Sequence, residues 1–81
     1  MDTRTEIRNF IEERLRDRGD DGPFSDGDSL LLSGRIDSMT VLEILSFLET
    51  KFNYIVDEHL FDQVDYDSIE SILALLDKTG G

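Results

Sequence analysis

The chain has 81 residues, no cysteine and a formal net charge of −11, with 19 Asp and Glu against 8 Lys and Arg. That length allows one domain, 1–81, around one core, and its stability should be modest. Disulfides and thiolate metal sites are excluded, and such acidity repels nucleic acid and anionic membranes, whose recognition needs clustered Lys and Arg. No apolar stretch reaches signal-peptide or transmembrane length, so a soluble, cytoplasmic monomer is expected, with a surface that attracts basic proteins. The charge is unevenly spread. Residues 1–18 carry five acids and five arginines, whereas residues 37–81 carry ten acids against Lys51 and Lys78 alone.

Ile7, Phe10, Ile11 and Leu15 form one apolar stripe, which predicts a helix from Thr3 to Arg18. Gly19-Asp20-Asp21-Gly22-Pro23 ends it. A long loop follows to about residue 37 and needs anchors of its own; Phe24, Leu30, Leu31, Leu32 and Ile36 are the candidates. Residues 38–52, SMTVLEILSFLETKF, give the clearest helix. Val41, Ile44, Leu45, Leu48 and Phe52 cluster on its buried face, while Met39, Leu42 and, at the flank, Phe47 fall away from it. Asn53-Tyr54-Ile55-Val56 leads to a short helix capped by Asp57 and carrying Leu60 and Phe61. The last helix is expected to start near Asp67, with Glu70 completing a capping box, and to turn Ile69, Ile72, Leu73 and Leu76 inward. Strand alternation is confined to Tyr54–Val56. The expected fold is all-α, an antiparallel four-helix bundle of three long helices and one short helix.

Ser38 stands between Asp37 and Met39, where the loop gives way to the second long helix. Ser and Asp both suit a helix N-cap, so one reading gives Ser38 that duty. If Asp37 caps instead, Ser38 occupies the first turn with its hydroxyl outward and open to modification. A phosphodiester there would lie at the positive end of the helix dipole, close to unpaired backbone N–H groups.

The stretch SGRIDSMTVLEILSFLETKF resembles the second-helix region of acyl carrier proteins and peptidyl carrier proteins. The shared elements are Asp37-Ser38-Met39, Leu42-Glu43-Ile44, and Leu48-Glu49 with Phe52. The run VDYDSIESI, residues 64–72, is similar to the start of that family's last helix. Together with the first helix, the resemblance covers nearly the whole chain. It implies an acyl-carrier-protein-like fold and a protein that is not an enzyme. It also implies that Ser38 receives 4′-phosphopantetheine from coenzyme A, added by a separate phosphopantetheinyl transferase that uses Mg²⁺. The thiol of that cofactor would hold acyl or aminoacyl cargo as a thioester. The other implied partners are a loading ligase and downstream acyl-processing enzymes of a fatty-acid, polyketide or nonribosomal-peptide pathway.

By the same resemblance, Asp37 would help to dock the transferase. Met39 and Leu42 would form the apolar centre of a partner-facing surface, with Glu43, Glu49 and Glu58 as its acidic rim. Contact with the long loop is the structural alternative for Met39 and Leu42. Thr50 and Lys51 replace an acidic pair common in fatty-acid carriers, and Ser46 stands where those often have a larger apolar residue. Both departures point away from fatty-acid synthase partners specifically. Phe47, Phe52, Tyr54, Phe61 and Tyr66 predict a filled interior, so a small acyl or aminoacyl cargo is expected.

Other chemistries fit less well. Neither DGDSL nor DQVDYDSIE keeps the EF-hand order of oxygen ligands with Gly at the sixth loop position, and no metal site is expected. His59 is the only histidine; a Ser-His-Asp hydrolase would need it beside Ser38 and would need an oxyanion hole as well. Gly80-Gly81 looks like a ubiquitin-like tail, but such tails belong on a sheet-based fold. The competing class is an acidic helical adaptor without a prosthetic group, which uses Met39, Leu42 and Phe47 only to bind a partner.

Overall fold

Three α-helices and one 3₁₀ turn make up the regular structure of the residues that the computed structural model describes, 2–57 and 59–78. The first helix, α1 (Thr3–Asp17), begins where Asp2 accepts the Thr5 N–H at 2.8 Å. That bond satisfies a donor for which the first turn has no helical acceptor. Ile7, Ile11 and Leu15 are buried along its inner face. A Schellman motif closes it: the Gly19 N–H donates to Arg16 O at 2.9 Å and the Asp20 N–H to Leu15 O at 2.9 Å, with Gly19 at φ 84°. Glycine takes that left-handed backbone without steric cost.

The second helix, α2 (Ser38–Phe52), buries Thr40, Val41, Ile44 and Leu48. Leu45 and Phe52, expected on the same face, are half-buried. Phe47 packs instead of falling away: its ring stacks on Phe10 of α1 at 4.4 Å and meets Phe52 edge-on at 5.8 Å. Asn53 ends the helix at φ 56°, a conformation that asparagine tolerates better than most residues.

The third helix, α3 (Ile69–Lys78), packs on α1 and on the 3₁₀ turn (Gln63–Tyr66); that turn also packs on α2, and α1 on α2. A continuous core joins them, with Ile69 and Ile72 of α3 buried and Leu73 and Leu76 half-buried at its edge. Phe24, Leu30 and Ile36 anchor the long loop in that core, and Leu31 is half-buried against it. Leu32 does not anchor; it is 71% exposed.

The chain does not form the expected four-helix bundle. Separate turns replace the short helix placed at Asp57. Asp57 accepts the His59 N–H at 3.0 Å through its carboxylate and the Leu60 N–H at 2.9 Å through its carbonyl. Asp62 then accepts the Val64 N–H at 3.0 Å and opens the 3₁₀ turn. Aspartates that bond the backbone two residues on close single turns in competition with a helix. So short a run does not recover the cost of helix nucleation. Leu60 therefore stays 76% exposed, whereas Phe61 packs on Tyr66 at 5.7 Å. No strand forms among the described residues.

The start of α3 also departs from expectation. Ser68, not Asp67, is the cap: its Oγ accepts the Ser71 N–H at 3.1 Å and its carbonyl the Ile72 N–H at 3.1 Å. Asp67 instead reaches the long loop. Its Oδ1 accepts the Leu31 N–H at 2.7 Å, the Leu32 N–H at 2.9 Å and the Ser29 hydroxyl at 2.9 Å. Satisfying those loop donors outweighs the single amide that a capping role would satisfy. Glu70 completes no capping box; its N–H donates to Asp26 O at 3.0 Å and its carboxylate lies beside Gly27. Among the described residues, no helix is long and apolar enough to cross a membrane.

Candidate functional site

Ser38 is the first residue of α2 and is exposed. Asp37 performs the capping before it: Oδ1 accepts the Thr40 N–H at 3.0 Å and the Thr40 hydroxyl at 3.2 Å. With that duty filled, the Ser38 hydroxyl has no hydrogen-bond partner among the described residues. Thr40 itself is buried, so the cap rests on a fixed residue.

The other carboxylate oxygen of Asp37 is also engaged, because Arg18 Nη1 donates to Oδ2 at 3.0 Å. Two residues earlier, Arg35 makes a bidentate pair with Asp20, at 2.9 Å from Nε and 3.0 Å from Nη2. It also donates to Gly22 O at 2.8 Å and Pro23 O at 3.1 Å. Arg18 and Asp20 flank Gly19 at the end of α1, while Arg35 and Asp37 flank the buried Ile36. The start of α2 is thereby held to the end of α1 by two ion pairs on either side of a core side chain.

These contacts set the charge state of the junction. The Thr40 amide, then the Arg18 guanidinium, hold the Asp37 carboxyl below its ordinary value. Arg35, then the Gly22 amide, do the same for Asp20. Hydrogen bonds and a nearby cation both favour the ionised form.

Met39 is 64% exposed and Leu42 51% exposed, neighbours one turn apart on the solvent face and not covered by the long loop. A shallow groove between α1 and α2 adjoins Leu42, lined also by Phe10, Arg14, Glu43, Ser46 and Phe47. Glu43 is not an independent charge, since Arg14 Nη1 lies 3.6 Å from it, while Nη2 of the same arginine pairs with Glu13 and Asp17 at 3.1 Å. Glu49 is exposed further along α2. Glu58 lies outside the described residues.

Beyond the far end of α2 lies a cleft of about 130 Å³ lined by Tyr54, Val56, Leu60, Phe61, Tyr66 and Leu75, among others. In sequence its lining begins after α2, whose 15 residues span roughly 22 Å at 1.5 Å per residue. Pockets that enclose drug-sized ligands span about 300–1,000 Å³. The Tyr54 and Tyr66 hydroxyls meet at 3.3 Å in the interior beside it, and burial followed by that contact pushes the Tyr66 phenol far up. Among the described residues, no group of His, Cys, Asp and Glu is placed to hold a metal ion.

Sequence reasoning missed Arg14 and Arg18, which read as the solvated face of α1. A signal was present: Arg18-Gly19-Asp20 and Arg35-Ile36-Asp37 share one charge order, and they are the segments that pair. No family model, curated protein or solved structure matches the chain.

Proposed function

We propose that this protein is a free-standing acyl carrier, with Ser38 as the attachment point of 4′-phosphopantetheine. The observation that supports the reading is the exposed Ser38 hydroxyl, which opens α2 without a hydrogen-bond partner among the described residues because Asp37 does the capping. A tethering residue needs an oxygen open to solvent, and the first-turn N–H groups beside it suit the charge of a phosphodiester. The attached group would supply a thiol that holds acyl or aminoacyl cargo as a thioester. The chain's own residues would do the rest: α2 presents the attachment point, and Met39 and Leu42 offer an apolar contact next to it.

The proposed partners are a phosphopantetheinyl transferase, an acyl- or aminoacyl-loading ligase and downstream enzymes of a fatty-acid, polyketide or nonribosomal-peptide pathway. A net charge of −11 would speed encounter with basic partner faces, while Met39 and Leu42 would hold them. Glu43, Glu49 and Glu58 are the proposed rim. The small cleft and the aromatic interior favour a short acyl or aminoacyl cargo. The protein is read as a cytoplasmic monomer without catalytic activity of its own, binding neither nucleic acid nor membrane.

Intact mass tests this reading. The protein and its Ser38→Ala variant are each incubated with coenzyme A, Mg²⁺ and a promiscuous phosphopantetheinyl transferase. The parent is expected to gain one phosphopantetheine and the variant none. A parent left unmodified beside a modified control carrier would replace this reading with the acidic adaptor, which uses Met39, Leu42 and Phe47 only to bind a partner.

A further inference from the structure

We propose that Arg18 is a positioning residue for the modification of Ser38, an inference that rests on the carrier reading. Asp37 immediately precedes the hydroxyl to be modified, and each of its oxygens has a different tether. Oδ1 holds the Thr40 amide of α2 at 3.0 Å, and Oδ2 meets Arg18 Nη1 from α1 at 3.0 Å. A carboxylate with one tether rotates about its Cβ–Cγ bond, whereas one held from two elements keeps a single setting. Arg18 can be the second tether because the Schellman motif at Gly19 fixes the backbone from which it projects.

The pair lies at the surface, with side chains 39% and 56% exposed, so its worth is in geometry more than in stability. In the transfer, Ser38 Oγ bonds to a phosphorus of coenzyme A and the pyrophosphate P–O bond breaks. Adenosine 3′,5′-bisphosphate leaves, and the seryl proton passes to a base on the transferase. A nucleophile held at the first position of a fixed helix start enters that step already oriented. Both oxygens of Asp37 are engaged within the chain, while its side chain stays 56% exposed to a docking transferase. Arg18 acts on the turnover of Ser38, through the setting of Asp37, and not on the docking of the carrier.

Steady-state kinetics of phosphopantetheine transfer decide this, with carrier concentration varied and all proteins held below their melting temperatures. Arg18→Gln is expected to lower kcat by about fivefold with the KM for carrier changed by less than about twofold. Arg18→Lys should restore most of the kcat. Arg35→Gln loosens the same junction but leaves the Arg18–Asp37 pair in place, so it should lower the melting temperature and keep kcat.

An unchanged kcat in Arg18→Gln overturns the proposal. So does a fall in KM alone, which would mean that Arg18 only masks a docking carboxylate. An equal loss of kcat in a folded Arg35→Gln would show general loosening and overturns it too. If Arg35→Gln does not fold, the contrast between Arg18→Lys and Arg18→Gln decides. A wild-type protein left unmodified beside a modified control carrier sinks the carrier reading itself, a result distinct from any ranking of the variants.

Discussion

Arg18 and Asp37 are 19 positions apart in the chain and face each other at 3.0 Å across the junction of α1 and α2. Asp20 and Arg35, 15 positions apart, meet beside them at 2.9 Å. Each side contributes a basic residue, a spacer and an acidic residue, and the two tripeptides pair head to tail. The opposite alignment would set arginine against arginine and aspartate against aspartate, so charge selects the direction in which the loop passes the helix end. The spacers complete the junction, with Gly19 making the turn and Ile36 entering the core.

Gly19→Ala isolates the backbone contribution to this junction. No atom lies within 4 Å of the position its Cβ would take, so the cost comes from φ 84° alone. Urea unfolding is expected to show a loss of about 1 kcal/mol. Unchanged stability would mean that α1 does not end in the left-handed turn.

Removing the Asp67 carboxylate leaves the Leu31 and Leu32 amides and the Ser29 hydroxyl without their acceptor. Asp67→Ala should cost about 2 kcal/mol, and Asp67→Asn, which keeps an oxygen in place, should cost less. Hydrogen exchange at Leu31 and Leu32 should accelerate well before that at Ile7 or Ile11. Equal acceleration throughout would refute a local pin.

Asp67 and the two junction carboxylates, Asp20 and Asp37, should titrate late on acidification. At Asp67 burial pushes the pKa up, but the bonds from Leu32, Ser29 and Leu31 outweigh it and leave it below the ordinary value; Asp20 and Asp37 are lowered as well. A folded pKa below the unfolded one gives stability that is present above the unfolded value and lost as pH falls through the folded one. The stability gap between wild type and Asp67→Asn should therefore be constant from pH 7 to about 5 and close below about 4. By carboxyl NMR, Arg18→Gln should raise the Asp37 midpoint and leave that of Asp67 in place.

Salt should stabilise the protein. Ten acids against two lysines in residues 37–81 repel one another, and screening relieves that repulsion. Most of the ion pairs weakened at the same time have at least one exposed partner and contribute little, the half-buried Arg8–Asp26 and Arg35–Asp20 pairs being screened least. The melting temperature should rise between low and moderate NaCl, and a flat profile would count against the repulsion.

Much of α1 and α2 is legible in the sequence, because Ile7, Ile11 and Leu15, and Val41, Ile44 and Leu48, repeat at helical spacing and end at Gly19 and Asn53. The C-terminal third is harder to read. Asp67 and Ser68 are adjacent candidates for one cap, and the choice falls to Ser68 because a loop 36 positions away takes Asp67. Asp57 and Asp62 each close a turn locally, which apolar periodicity does not register. At the candidate site, Ser38 and its neighbours are visible in the sequence. The arginines that reach them from α1 are not, because on a helical wheel Arg14 and Arg18 look like any solvated charge.

The bond from Asp67 to the loop has a consequence for the order of events during synthesis. A ribosome synthesises α1, the loop and the whole of α2 before residue 67 exists to accept the Leu31 and Leu32 amides. The segment leading into Ser38 takes its final form only when the last third of the chain arrives. A nascent chain with the complete Asp37-Ser38-Met39 triplet therefore differs from the finished protein in the loop that leads to its helix start. Enzymes that recognise that loop in its final form would act after translation rather than during it.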